Sequence, residues 1–455
     1  MMNKKSFRLF VMGAAALFIS QNLHAFTIFG TNTDGSIYKR QVNGSGQIMS
    51  FSWNLETGPM QDGAAIHDFS SMSEFNSYCE SAGGGGSGGG GGSCSLSPLL
   101  RDAMAQDVSN SEGIILMTNA FNTWTNQATQ ANINVTQGAS LGSAVNICNI
   151  DTYAPMFTPV TSSSDPRVCG CLGTCSSACL NPVIFDANGD ITGNLIGDRY
   201  SVLGATGPIQ VPGVNYFQNG FSILNGSCLE PNPLAGCSGF SLSDAEFQET
   251  VTHEMGHLMG LDHTLINPDS VINFSVLASG ADPNSIPTMY PGYVVPEQAN
   301  LKMDDQTGLA YLYPKSTFSS GFCTATGTVF NVNNAQPLRC AEVVLRDTAS
   351  SSTLVDNAIG FVSGMVAANN GNPGRITNTC TGSGDSCGSY TIPGLQVGHT
   401  YRVTVNPIPN FTSGSTIGPC DTNPTFTTYS GGTVTCSSAG QSLTGGALTI
   451  NLNAH

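Results

Sequence analysis

His253-Glu254-Met255-Gly256-His257-Leu258-Met259-Gly260-Leu261-Asp262-His263 is the stretch on which the reading of this chain turns. The residues before it carry a helix signal. Ser243 can cap an N-terminus, Glu246 stands three positions on as in a capping box, and apolar residues recur toward the motif. The pattern predicts a helix over 242–259, ended by Gly260. In such a helix positions 253 and 257 lie about one turn apart on one face, so two imidazoles meet at one point. Glu254 stands one residue further round, beside that point rather than on it. Gly260 readily takes φ > 0, which turns the chain sharply and lets His263 come back beneath the other two. Three neutral nitrogen donors with a fourth position open make a catalytic zinc site, whereas a structural zinc is closed by four protein ligands. A bare H-E-x-x-H occurs in unrelated helices, but here three of the chain's seven histidines fall within eleven residues.

The chemistry expected of such a site is hydrolysis. Zinc brings the pKa of water toward about 7 and polarises a carbonyl. Glu254 takes the proton of the attacking water and hands it to the departing amine, which leaves poorly until protonated.

The rest of the chain frames this site. At 455 residues it is too long for one ordinary core. Charged residues are 10% of the total, against roughly 25% in typical soluble proteins. The net charge of −16 comes with no basic stripe, which excludes a nucleic-acid partner. Lys4, Lys5 and Arg8 followed by an apolar run over 9–20, with Ala25 at a cleavage point, read as an export signal over 1–25. That run is shorter than the about 20 apolar residues a bilayer span needs, and no membrane span is expected elsewhere. Fifteen cysteines fit a secreted protein, because oxidising compartments keep disulfides. Nine precede the motif and six follow it, so the second set can close within its own region and the first leaves one over.

Alternation over 47–55 predicts a first strand. The Gly-rich tract over 83–92, flanked by Cys79 and Cys94, reads as a surface loop stapled at its base. Residues 98–127 carry helical spacing interrupted at Gly113, as one long helix or two shorter ones, and 182–185 and 220–224 read as short strands. A helix is predicted over 301–313, stopped by Pro314. From about residue 322 the texture changes to short alternating strands with turns, as in a β-sandwich. Asp186-Ala187-Asn188-Gly189-Asp190 has the alternating oxygen side chains of a small calcium loop, and equally those of an Asx–Gly turn without an ion.

The extended motif resembles that of the metzincin zinc peptidases, and its details resemble the matrixin branch. Thr288-Met289-Tyr290-Pro291-Gly292-Tyr293 is similar to that family's Met-containing turn, and the paired Asp304-Asp305 in the 301–313 helix are similar to its C-terminal helix. Specific matches run over 247–314, and the helix ending in Phe121-Asn122-Thr123-Trp124 is a looser one. The resemblance implies an α+β chain: a catalytic domain over 26–318, with a twisted mixed sheet and long helices, then an all-β sandwich over 319–455. It implies a secreted zinc endopeptidase acting on protein or peptide, with Met289 as the apolar floor beneath zinc. Pro291 and Tyr293 would line the pocket for the substrate side chain after the cut. An astacin-like branch would place Tyr two residues after the Met, where this chain has Pro291.

The departures are specific. Matrixins carry a second, structural zinc upstream, and no histidine occurs between His67 and His253 here. Pro166-Arg167-Val168-Cys169-Gly170 is similar to the family's inhibitory cysteine motif, with an inserted Val and out of place. Cys169, Cys171, Cys175 and Cys179 are read as disulfide partners rather than metal ligands in an exported chain. Residues beyond 322 resemble carboxypeptidase regulatory-like or prealbumin-like sandwiches, carried by Gly327-Thr328-Val329-Phe330, Gln336-Pro337-Leu338 and Gly398-His399-Thr400-Tyr401. A stabilising role, or a surface, a glycan or a protein as ligand, is expected of that region. The competing reading is a surface-binding or adhesion protein that keeps a silent zinc domain as scaffold.

Overall fold

The computed structural model describes residues 27–28, 37, 39–43, 48–58, 72–81, 109–154, 160–161, 180–196, 198–209, 214–230, 233, 235–237, 241–264, 266, 286–292, 295–331, 336–348, 358–364, 388–407 and 428–450. The export signal, the Gly-rich tract, Cys94, the cysteines over 169–179 and Tyr293 lie outside them.

The chain is α+β. Strands β1 (Thr27–Ile28), β2 (Lys39–Arg40), β3 (Val42–Asn43) and β4 (Ile48–Leu55) precede helices α1 (Met72–Ser81) and α2 (Asn110–Gln127). Then come β5 (Ile133–Gln137), β6 (Pro182–Asp186), β7 (Gly204–Pro208), β8 (Tyr216–Phe217) and β9 (Gly220–Asn225). Helix α3 (Asp244–Leu258) and β10 (Leu261–Asp262) carry the motif, and α4 (Met303–Leu312) and α5 (Phe318–Gly321) close this part. Six strands form a mixed sheet in the order β3-β4-β6-β9-β7, with β5 also on β4. β5, β4, β6 and β9 run parallel, and β7 pairs antiparallel with β9 at the edge.

Two helices cover one face of this sheet because their apolar residues fall on one side. Phe121 of α2 stacks on Trp53 and meets Phe51 edge-on, both from β4. Trp124, wholly buried, donates Nε1–H to the Thr252 carbonyl of α3 at 2.8 Å, locking the two helices in register. Contrary to expectation, Gly113 does not interrupt α2. Glu112 accepts the Ser109 N–H at 2.7 Å, so the helix starts there and Gly113 sits in its first turn. The capping box predicted for α3 is present, with Glu246 accepting from Ser243 N at 3.0 Å and Oγ at 2.9 Å.

Residues from 323 onward form two four-stranded sheets. β11 (Cys323–Asn331), β12 (Gln336–Pro337), β13 (Ala341–Asp347), β14 (Ala358–Val362), β15 (Ser389–Leu395), β16 (Thr400–Pro407), β17 (Tyr429–Thr435) and β18 (Ser442–Ile450) follow in order. One sheet is β12-β11-β15 with β18 parallel to β11, the other β14-β13-β16-β17. Their buried residues, Val329, Ile392, Val343, Leu345 and Val403 among them, belong to the same apolar cluster as Phe121 and Met289. The core is therefore continuous across the expected domain boundary.

Disulfides join Cys79 to Cys148, Cys228 to Cys237 and Cys323 to Cys436. The first corrects the expected staple. Cys79 sits on α1 and closes onto the 146–152 turn, so its partner is not Cys94. Among the described residues no helix is long and apolar enough to cross a membrane.

Candidate metal centre

The motif helix, the Gly260 turn and the Met289 turn together build this centre. His253 and His257 project from α3. Gly260 has φ +103°, a left-handed conformation that ends the helix and sends the chain into β10 and back to His263. The three Nε2 atoms converge, with 253–257, 257–263 and 253–263 separations of 3.0, 3.1 and 2.9 Å. All three rings are buried.

Their protonation shows what fits between them. His253 Nδ1 lies 2.7 Å from the Thr288 carbonyl and His257 Nδ1 lies 2.8 Å from the Leu261 carbonyl. A carbonyl only accepts, so both Nδ1 atoms carry the hydrogen and both Nε2 atoms present lone pairs. Burial pushes the His253 imidazole down to about 4, and burial with His253 alongside pushes His257 down to about 3. Neutral rings aiming lone pairs at one another from this distance repel unless a cation lies between them. The donor set thus fits a metal ion, and the backbone carbonyls play the outer role that fixes tautomer and ring orientation in metal sites.

Glu254 is buried beside the histidines, and burial raises its carboxyl to about 8, with the Thr206 hydroxyl pulling the other way. A cation at the histidines would draw it down again, toward the ionised form a base requires. Its place is made by a glycine. A Cβ on Gly204 of β7 would lie 2.5 Å from Glu254 Oε1 and 2.6 Å from Cγ. Gly204→Ala should displace the carboxylate without unfolding the sheet and with bound metal unchanged, and it should lower by about 10²-fold the kcat/KM of any reaction in which this carboxylate takes part. Steady-state kinetics with metal analysis checks this, and full activity in the variant would refute it.

Met289 is buried below α3, where Gly256 leaves no room for a Cβ between Met289 Sδ and Trp124. Asp305 of α4 fastens this turn, its carboxylate accepting the N–H groups of Thr288 and Met289, each at 3.0 Å, and of Lys302 at 2.8 Å. Gln298, wholly buried, holds the following loop by accepting from Val295 N at 3.0 Å and donating to the Gly292 carbonyl at 3.1 Å. Pro291 is buried in that loop.

The far end of α3 is held by a cation. Arg40 is 1% exposed and donates to the Leu258 carbonyl at 3.1 and 2.8 Å, to Asn181 Oδ1 at 2.9 Å and to the Gln218 carbonyl at 2.6 Å. Its guanidinium lies over the rings of Phe51 and Phe217, at 4.1 and 4.9 Å. Nothing in the sequence flags Arg40, Gly204 or the Thr288 and Leu261 carbonyls. Their roles depend on backbone atoms and on approach between segments far apart in the chain.

The loop read as a possible calcium site engages its oxygens within the protein. Asp186 accepts the N–H groups of Ile191 at 3.0 Å and Thr192 at 2.6 Å, and Asp190 pairs with Arg199 at 2.6 Å. Asn188 bonds to Asp190, and Gly189 turns with φ +71°. These oxygens face amide donors and a guanidinium rather than converging on a cation. The backbone there makes an Asx–Gly turn, with Gly189 at its left-handed position.

No protein-family model and no curated protein matches the chain, so the site's own geometry carries the functional argument.

Proposed function

We propose that this chain is an exported zinc-dependent endopeptidase of the metzincin type, matrixin-like, with a C-terminal β-sandwich. The observation that carries the reading is the convergence of three buried imidazoles, two of them oriented by backbone carbonyls, beside one buried carboxylate. Zinc is the metal that three histidine nitrogens with a free position best suit, and when bound it supplies Lewis acidity for amide hydrolysis.

The chain's residues do the rest. Glu254 accepts a proton from the water whose oxygen attacks the scissile carbonyl carbon. It then delivers that proton to the amide nitrogen as the C–N bond breaks, leaving a carboxylic acid and an amine. β7 is an edge strand that runs past Glu254 at Gly204, so an extended peptide adding to it brings its carbonyls to the base. The buried turn from Met289 to Pro291 shapes the side on which the leaving amine lies, and an apolar side chain is the expected preference there. The disulfides support the exported location.

Cleavage of a diverse peptide library by the chain lacking residues 1–25, with and without a zinc chelator, tests this. Chelator-sensitive cleavage with apolar residues after the cut is expected. Bound zinc without cleavage of any peptide would favour the scaffold reading instead.

A further inference from the structure

Asp304 stands where three distant segments meet. Its Oδ1 accepts the Gly360 N–H of β14 at 2.8 Å. Thr264 directly follows His263, and its own N–H donates to the Met289 carbonyl at 2.8 Å. The next residue, Asp305, holds the Thr288 and Met289 amides, and the Thr288 carbonyl receives Nδ1–H of His253. The supports of two of the three histidines therefore converge on one dipeptide of α4. The other side of that dipeptide is fixed to the C-terminal sheets.

The surrounding contacts make this a fitted junction rather than a tether. Ile266, three residues past His263, packs with Val344 and Ala358. The Tyr311 ring of α4 meets Phe361 of β14 edge-on at 6.2 Å between centroids. Gly394, at φ +82°, lets β15 approach α4 so closely that a Cβ there would lie 2.9 Å from Thr307 Oγ1. Asp304 itself is 1% exposed, and among the described residues its Oδ2 has no hydrogen-bond partner. Burial and the nearby Asp305 and Glu342 hold its carboxyl well above the usual range. An apolar side chain would join two cores at lower cost than a half-satisfied buried carboxylate. What the carboxylate adds is a fixed geometry between β14 and α4, whose next residue holds the turn that Thr264 N–H bonds to.

We propose that the C-terminal sheets complete the metal centre, with Asp304 as the positioning residue that ties their docking to His253 and His263. This rests on the reading of the three histidines as a zinc site. The test is competitive titration of zinc against a chromophoric chelator, using the whole chain and its Asp304→Ala variant. Amide hydrogen exchange of both metal-free proteins is measured alongside. Loss of an outer support in a metal site weakens binding by about 10–100-fold, and that drop is expected here at unchanged stoichiometry. Faster exchange at Thr288 and Met289 in the metal-free variant should accompany it. An affinity within about twofold of the parent, whatever happens to the unfolding temperature, would overturn the proposal and leave Asp304 as interface packing. Should Asp304→Ala fail to fold, Tyr311→Leu removes only the ring that meets Phe361 across the same junction. About a threefold or greater loss of affinity is then expected, and none would refute the coupling. A parent chain that binds no zinc would overturn the zinc reading and this proposal together. Zinc binding by the parent with unaffected variants would overturn this proposal alone.

Discussion

Glu254→Gln should keep one zinc per chain and lose about 10²–10⁴-fold in kcat, the range removed with a positioned general base. The substitution preserves volume, so the packing against Gly204 survives, and neither imidazole anchor involves residue 254. What disappears is the ability to take and return a proton. In the proposed mechanism that group moves protons in the transition state and does not bind the ground-state substrate, so kcat and kcat/KM should fall together with KM little changed. A variant that cleaves as fast as the parent would remove Glu254 from the mechanism. A variant that loses zinc along with activity would make it a ligand or a structural residue.

Arg40→Ala should be the most destabilising of the single substitutions considered, by about 3 kcal/mol or more in urea unfolding. Hydrogen bonds to a charged group contribute roughly 1.5–3 kcal/mol each, and truncation strands the Leu258 carbonyl and Asn181 Oδ1 in a buried place. The cation also complements the negative end of the α3 dipole, which is strongest where the last carbonyls are desolvated. Loosening that end frees the Gly260 turn, so weaker zinc binding should follow through His263. A loss below about 1 kcal/mol would show that water or neighbouring donors replace the guanidinium.

The residues that carry the centre were legible because their rules are local. The Ser243–Glu246 box, the spacing of His253 and His257, and Gly260 each depend on a few neighbours along the chain. The helix they imply over 242–259 is found at Asp244–Leu258. Local reasoning fails where a residue's meaning comes from a distant partner. Gly113 looks like a break until the Ser109–Glu112 cap shows that the helix begins there. Cys79 lies close in sequence to Cys94 but closes onto Cys148, across a separation of 69 residues. The alternating oxygens over 186–190 look like cation ligands until Arg199 is seen against Asp190. The Asp304–Asp305 pair was visible as a motif, yet its two faces were not. One carboxylate serves the Met289 turn and the other reaches Gly360, 56 residues along the chain. The pocket residue Tyr293 lies outside the described residues, so that part of the expectation rests on the sequence alone.

X-ray absorption spectroscopy at the zinc edge, on the purified chain with its metal content determined, is the most direct test of the central claim. One zinc per chain with three imidazole nitrogens and one oxygen, all at about 2.0–2.2 Å, is the expected result. A sulfur shell at about 2.3 Å, or four protein nitrogens, would describe a closed structural site and contradict it.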